Sequence, residues 1–308
     1  MRHLLSLADL EQSDFLFLVD RSAVLADKAR GSARLLGGRS IGIYFRKTST
    51  RTRTSFIVAA SRLGACPVVY GPNDLQTNTG ETAEDTARVL SGYLDAMVIR
   101  TAGDPRELEA MAAVGTMPIV NAMTADEHPT QAISDFAMLK RRFGSLEGIR
   151  LIYLGEGNNT AVALAFAASR ANGFRAEFLT PPNYGLPSSV IEKSVELGRR
   201  FGGVVSERHD VPLELEPGDV IYTTRWQTTG TSKNDPDWRK KFVNFQVTSS
   251  LMERCSRDSQ SVFMHDLPAV RGEDCDGSVL DGPRSIAFEQ AQQKLYTAMA
   301  IYEWCVGS

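Results

Sequence analysis

Apolar residues along the chain follow two alternating rhythms. Short apolar runs, bounded by charged or turn-forming residues, occur at 41–45, 67–70, 96–100, 118–121, 150–154, 176–179, 219–223 and 262–265. Runs of this length, several of them rich in β-branched residues, predict buried strands. Between them, apolar positions recur every three or four residues over 7–29, 52–63, 83–93, 105–114, 130–143, 160–171, 188–201 and 285–304. That spacing predicts helices, the first capped by Asp9 or Ser13 and the second stopped by Gly64. The stretch 71–81, dense in Pro, Asn, Gly and Thr, reads as a loop. Strand and helix alternate throughout, so the expected class is α/β, with parallel sheets covered by helices on both faces. The polar, glycine-flanked break at 144–148 interrupts the alternation once. It divides the chain into two doubly wound parallel-sheet domains joined by helices, 1–143 and 149–284, with 285–308 as a terminal helix returning to the first.

Composition narrows this only a little. A chain of 308 residues is long for one core, and two domains of roughly 150 residues are the natural expectation. Net charge is −3, which argues against broad contact with nucleic acid or an anionic membrane surface but leaves room for a local basic pocket. Cys66, Cys255, Cys275 and Cys305 lack paired spacing, so neither a disulfide framework nor a zinc site is expected. The N-terminal apolar run is too short for a signal peptide, and no window reaches the ~18 apolar residues of a membrane span. A reduced, cytoplasmic protein fits best.

The chemistry concentrates between strand 41–45 and the helix that follows it. Lys47, Thr48, Ser49, Thr50, Arg51, Thr52 and Arg53 crowd hydroxyls and guanidinium groups at the mouth of that helix. Its free N–H groups and dipole already favour an anion there, so a phosphate is the expected guest; the plainer alternative is a solvated basic turn. Open parallel sheets bind ligands beyond the carboxyl ends of their strands. The other polar candidates stand at such ends: Arg100, His128–Gln131, Glu156–Asn159, Thr224–Gly230 and His265–Pro268. Strand ends of both halves are therefore expected to face one cleft between the domains. In His128-Pro129-Thr130-Gln131 the proline suits a first helical position and puts imidazole and carboxamide on one side of the first turn. Arg100 also reads as a strand-end surface arginine, and His128 as a solvated residue at a helix cap. Together, these groups suit a small oxygen-rich molecule with carbonyl and amide character.

The run Ser49-Thr50-Arg51-Thr52-Arg53, the segment His128-Pro129-Thr130-Gln131 about eighty residues later, and His265-Asp266-Leu267-Pro268 resemble the aspartate and ornithine carbamoyltransferases, in the right order and over essentially the whole chain. The resemblance implies a carbamoyl-phosphate domain followed by an amino-acid domain. It implies that Ser49, Thr50, Arg51 and Thr52 hold the phosphate, with Arg53 joining them or bracing the loop. Arg100, Thr52 and His128 would hydrogen-bond the carbonyl oxygen, and Gln131 and the Leu267 carbonyl would hold the carbamoyl NH₂, with Leu267–Pro268 cis as in the family. Arg51, Arg100, His128 and Asp266 are the expected catalytic residues. Positioning and electrostatics suffice for such a transfer, so neither a metal nor an organic cofactor is expected. Gln76, in Asp74-Leu75-Gln76-Thr77-Asn78-Thr79, is similar to a family loop that reaches a neighbouring subunit's site, which implies a homotrimer with shared active sites.

The acceptor half departs from the ornithine type. Gly155-Glu156-Gly157-Asn158-Asn159 resembles its Gly-Asp-Gly-Asn-Asn, in which the second Asn (here Asn159) binds the acceptor's carboxylate. Where that branch has Asp-x-Trp-x-Ser-Met-Gly, whose aspartate pairs with the acceptor's ammonium, this chain has Thr224-Arg225-Trp226-Gln227-Thr228-Thr229-Gly230. Thr-Arg-x-Gln is instead similar to aspartate-type enzymes, whose arginine and glutamine grip a side-chain carboxylate. Asp266 stands where ornithine-type enzymes have cysteine, and Lys294 where they carry an arginine that helps bind carbamoyl phosphate. The expected acceptor is an amine-bearing, amino-acid-like molecule other than plain ornithine, held by Asn159, Thr224, Arg225, Gln227, Thr228 and Thr229, its amine near Asp266. Two other readings remain. Gly155-x-Gly157 after a strand, with Glu177 twenty residues on from Gly157, begins a dinucleotide fingerprint of an NAD-dependent dehydrogenase, although Thr160 occupies the third glycine position. A non-catalytic pseudoenzyme binding a phosphorylated metabolite is the other.

Overall fold

The computed structural model of the protein describes residues 1–27, 34–227 and 232–307. They form two compact units. Met1–Arg141 with Gln292–Ser308 make the first, and Arg142–Ala291 the second.

The first unit is built on a four-stranded parallel sheet in the order β2-β1-β3-β4. Its strands are β1 (Ser40–Phe45), β2 (Cys66–Tyr70), β3 (Ala96–Arg100) and β4 (Ile119–Met123). From Ile41 to Phe45 every residue of β1 is buried, as expected of a strand covered on both faces. Gly42 gives that strand a close neighbour: a Cβ there would lie 2.6 Å from Leu94 Cδ1, the end of a side chain. Helices α1 (Gln12–Asp27), α2 (Arg51–Arg62), α3 (Ala83–Leu90), α4 (Arg106–Ala113) and α5 (Pro129–Phe143) intervene. Helix α1 starts after Asp9 and includes Ser13; residues 28 and 29 of the expected span lie outside the described residues. The loop expected over 71–81 contains one short 3-10 turn, Gln76–Thr79.

The second unit carries a five-stranded parallel sheet in the order β7-β6-β5-β8-β9, from β5 (Arg150–Leu154), β6 (Arg175–Leu179), β7 (Val204–Arg208), β8 (Val220–Thr223) and β9 (Val262–His265). Helix α6 (Asn159–Arg170) is buried along its whole length; its alanines let it lie close to the sheet. Helices α7 (Ser188–Phe201), α8 (Trp238–Phe242), α9 (Ser249–Cys255) and α10 (Gly277–Leu280) follow, and α11 (Ala287–Val306) closes the chain. Strand β7 escapes the apolar pattern. It is an edge strand paired only with β6, and Val205 is its one buried residue, so little apolar signal marks it. Helices α8, α9 and α10 are too short to show a period.

In both sheets the chain winds outward from an inner strand, then returns to that strand's other side. The switch falls between β1 and β3 in the first unit and between β5 and β8 in the second. Ligand crevices form beyond the carboxyl ends of strands at such points. Among the described residues no helix is long and apolar enough to cross a membrane.

Candidate active site

In the first unit, β1 delivers the chain through Ser49 into α2. Thr50 occupies the cap position with helical backbone angles, and its side chain makes no capping hydrogen bond. Thr52 is buried, Ser49, Arg51 and Arg53 are half-buried, and Thr50 is exposed. Arg46, at the start of the same loop, is committed elsewhere: its Nε donates to the Tyr44 hydroxyl at 2.8 Å and its Nη1 to Glu107 at 2.8 Å.

Arg100 ends β3, buried, across from Phe45 at the end of β1. His128 precedes α5 and is 4% exposed. Burial, then the nearby charges of Lys294 and Arg100, hold its pKa well below the ordinary imidazole value, so it is neutral near pH 7. Its Nδ1 lies 3.4 Å from the Thr130 hydroxyl. Gln131 is buried, its Nε2 donating to Asp135 Oδ1 at 2.8 Å and its Oε1 accepting from the Lys294 ammonium. These two bonds fix which end of the carboxamide is the acceptor. A carbonyl oxygen with two lone pairs keeps capacity for a second donor. Asp135, one helical turn beyond Gln131, was not anticipated, although that spacing on a helix brings side chains together. Glu127 was not anticipated either. Its carboxylate accepts from the Leu7 N–H at 2.8 Å and from Ser6, holding the N-terminal segment beside the turn that carries His128. Gln76 is exposed and accepts from the Thr79 hydroxyl at 3.0 Å.

In the second unit, Gly155 leaves β5 with φ +132° and Gly157 admits no side chain, since a Cβ would sit 2.3 Å from the Gly185 carbonyl carbon. Asn158 caps α6, its Oδ1 accepting from the N–H groups of Thr160 at 3.0 Å and Ala161 at 3.1 Å. Those donors are therefore spent, and a pyrophosphate in the dinucleotide manner would find the helix mouth closed. Asn158 Nδ2 donates to Thr224 Oγ1 at 3.0 Å, and Thr224 Oγ1 lies 3.0 Å from the Tyr153 hydroxyl. The Tyr153 hydroxyl donates to the Glu156 carbonyl, so the proton between Thr224 and Tyr153 comes from Thr224. Its hydroxyl thus has one committed donor and at least one lone pair filled. Asn159 is buried, while Arg225 and Gln227 are half-buried. Thr228 and Thr229 lie outside the described residues.

Beyond β9, Asp266 Oδ2 accepts from the Thr160 hydroxyl at 3.0 Å, and the Asp266 side chain is 18% exposed. The Leu267 N–H donates to His265 Nδ1 at 2.8 Å. That bond needs a lone pair on Nδ1, so neutral His265 carries its proton on Nε2, facing Asp274 Oδ2 at 3.5 Å. Burial works to lower the His265 pKa, but Asp266 and Asp274 outweigh it and raise it. Leu267–Pro268 is cis. Leu267 (φ 55°), Ala102 (φ 51°) and Met123 (φ 149°) are non-glycine residues at positive φ, each at or just past the carboxyl end of a strand; held strain of this kind concentrates at functional sites. Among the described residues no cluster of His, Cys, Asp and Glu is arranged to hold a metal ion. The buried Cys275 and Cys305 thiols are pushed up to about 12, so they stay protonated.

Comparison with known proteins fits this picture at full length. Residues 2–141 match the aspartate/ornithine carbamoyltransferase carbamoyl-P binding domain, and residues 147–305 the Asp/Orn binding domain of the same family. The chain belongs to the aspartate/ornithine carbamoyltransferase family. It is 38% identical over 301 residues to the ornithine carbamoyltransferase of Acidothermus cellulolyticus, covering 98% of this chain and 95% of that one. It is 36% identical over 310 residues to that of Caldicellulosiruptor saccharolyticus, covering 100% and 99%. Among solved structures, ornithine carbamoyltransferase from Pyrococcus furiosus superposes with a TM-score of 0.93 at 33% identity, covering 100% of this chain and 97% of that one. The protein is a carbamoyltransferase of the ornithine carbamoyltransferase type, with the two parallel-sheet α/β domains of that fold.

Proposed function

We propose that this carbamoyltransferase moves the carbamoyl group of carbamoyl phosphate to an amine of an amino-acid-like acceptor other than plain ornithine, releasing a ureido product and phosphate. On the donor side, Ser49, Thr50, Arg51 and Thr52 take the phosphate at the mouth of α2, where a guanidinium offers two parallel hydrogen bonds. Arg100, Thr52 and His128 receive the carbonyl oxygen. If the Thr130 hydroxyl donates to His128 Nδ1, the imidazole proton is on Nε2 and serves as the neutral donor to the developing oxyanion. Gln131 Oε1, oriented by Lys294 and Asp135, and the Leu267 carbonyl accept from the carbamoyl NH₂. The attacking amine forms the C–N bond, the bond to phosphate oxygen breaks, and the departing phosphate takes a proton from the new ammonium.

On the acceptor side, one observation carries the reading. The ammonium-binding aspartate of ornithine-type sequences is replaced by Thr224, whose hydroxyl is engaged by Asn158 and Tyr153, while the carboxylate has reappeared as Asp266, steered by Thr160. An ammonium would therefore meet Asp266, and a carboxylate would meet Arg225 and Asn159, with Gln227, Thr228 and Thr229 completing the contacts. The experiment is steady-state turnover with a panel of diamines, diamino acids, aspartate and ornithine. A better substrate than ornithine is expected, together with a raised acceptor KM in Arg225→Ala. Ordinary efficiency with ornithine and an unchanged KM in that variant would overturn the reading. We also propose a homotrimer in which the exposed Gln76 enters a neighbour's site; sedimentation as a lone protomer would remove this.

A further inference from the structure

One lysine in the second unit is buried far more deeply than a surface cation and has no place in the roles above. The Lys233 side chain is 8% exposed and forms an ion pair with Glu156, whose side chain is 20% exposed. Its ammonium lies 5.0 Å from the ring centre of Tyr184, 5.2 Å from that of Trp238 and 5.5 Å from that of Phe242. Lysine is almost never buried without a partner; here a carboxylate and three ring faces compensate the lost water. The three rings form one packed cluster with Trp226, whose ring centre is 5.3 Å from that of Phe242. The Trp226 backbone N–H, in the loop leaving β8, donates to Asp274 Oδ1 at 3.1 Å, so the box is fastened to the segment that follows β9. The box therefore gathers segments that follow β5, β6 and β8 around a single charge.

We propose that Lys233 is a positioning residue for acceptor binding, acting through Glu156. The Glu156 carbonyl accepts from Tyr153, and two residues on, Asn158 holds Thr224. Anchoring the Glu156 side chain thus fixes the turn that leads to Asn159 on one side and touches Thr224, the neighbour of Arg225, on the other. The pair also has an electrostatic effect. Asp266, Glu156 and Asp274 all act, after burial, to raise the Tyr153 pKa, so this part of the unit is already anionic. With Lys233 in place, Glu156 is neutralised locally. Without that ammonium, the half-buried Glu156 carboxylate loses its paired cation and repels the acceptor's own carboxylate.

The inference rests on the assignment of Arg225 and Asn159 to the acceptor's carboxylate, and the test separates the two. Four proteins, Lys233→Met, Glu156→Gln, the double variant and Arg225→Ala, are assayed with L-ornithine as probe acceptor and with the best amine from the panel. Lys233→Met keeps the apolar stem and removes the charge. It is expected to raise acceptor KM about tenfold through unscreened repulsion at short range, with carbamoyl phosphate KM unchanged. Removing the repelling carboxylate as well should restore acceptor KM in the double variant to within about twofold of the parent, a strongly non-additive pair. A fall in melting temperature with acceptor KM unchanged in Lys233→Met would make the pair merely structural and overturn the proposal. So would equal rises in both KM values, or a double variant no better than the single. If Lys233→Met cannot be recovered folded, Glu156→Gln with Lys233→Arg decides: an acceptor KM within twofold of the parent in Lys233→Arg supports a charge role, and a tenfold rise overturns it. A raised acceptor KM in Lys233→Met with none in Arg225→Ala would instead place the fault in the acceptor assignment.

Discussion

His128 is the residue whose environment best suits the role proposed for it. A charged imidazole beside Arg100 and Lys294 would be costly, and burial adds to the cost, so the ring stays neutral and can offer a proton to an oxyanion without first losing one. Losing such a donor typically lowers kcat by about 10²–10³-fold, and that is the expectation for His128→Ala. The same shift has a consequence for stability. The unfolded chain binds a proton on this histidine near its ordinary pKa of 6.5, whereas the folded chain resists it. Stability from this group is therefore complete above that value and falls as pH drops below it. His128→Asn should flatten that acid-side slope in denaturant titrations between pH 7 and 5; an unchanged slope would mean that the folded imidazole titrates normally. His265 has the opposite sign, its raised pKa contributing stability that fades as pH rises through the folded value. A second residue-scale expectation concerns Thr224. Restoring aspartate there adds a carboxylate next to Tyr153, where Asp266, Glu156 and Asp274 already act. Thr224→Asp alone should lower both melting temperature and turnover. Combined with Asp266→Cys it should recover stability and shift preference toward ornithine, read as the ratio of kcat/KM values. Equal behaviour of the single and double variants would show that the two positions are not exchanging one role.

At the scale of elements, close backbone approaches decide what the turns tolerate. A methyl group on Gly157 would stand 2.3 Å from the backbone of Gly185 and Leu186, whereas one on Gly42 would stand 2.6 Å from the end of the Leu94 side chain. A side chain can rotate away and a backbone cannot, so Gly157→Ala should cost several times the stability lost in Gly42→Ala, as measured by urea unfolding. The reverse order would show that the turn before α6 can shift. The same contrast explains what the sequence made legible. Strands buried on both faces, such as β1 and β3, announce themselves as unbroken apolar runs. Edge strand β7 buries only Val205 and has no such mark. Residues 49–53 and His128-Pro129-Thr130-Gln131 are contiguous, so the family resemblance they carry could be read directly. The Lys233 box could not, because Tyr184, Glu156 and Trp238 are far apart in the chain and nothing local predicts that they meet. Asn158 lay between these cases: an Asn ahead of an apolar helix is a capping signal, but its second bond to Thr224 depends on the adjacent positions of β5 and β8.

For the whole molecule, the division of the chain matters more than its length. The second unit is one continuous segment, Arg142–Ala291, while the first is assembled from Met1–Arg141 and the last residues, Gln292–Ser308. Those last residues are part of the first core. Tyr302 is fully buried with its ring 5.5 Å from that of Phe56, edge to face. Trp304 Nε1 donates to Asp14 at 2.8 Å and Gln293 Nε2 to the Ser22 carbonyl at 3.0 Å. Truncating one buried aromatic side chain typically costs about 3–5 kcal/mol, and a domain's whole stability is only about 5–15 kcal/mol. Removing 292–308 takes two such side chains together with these polar bonds, a loss comparable to the whole stability of a domain. It also removes Lys294, which orients Gln131. Deletion of 292–308 is therefore expected to unfold the first unit selectively. In hydrogen exchange, amides of β1, β3 and β4 should lose protection while those of β5, β6 and β8 keep it, because every strand neighbour of the latter lies within the continuous segment. Uniform loss would mean that the second sheet depends on the first for its stability, and uniform retention that the terminal helix adds little to the core it enters.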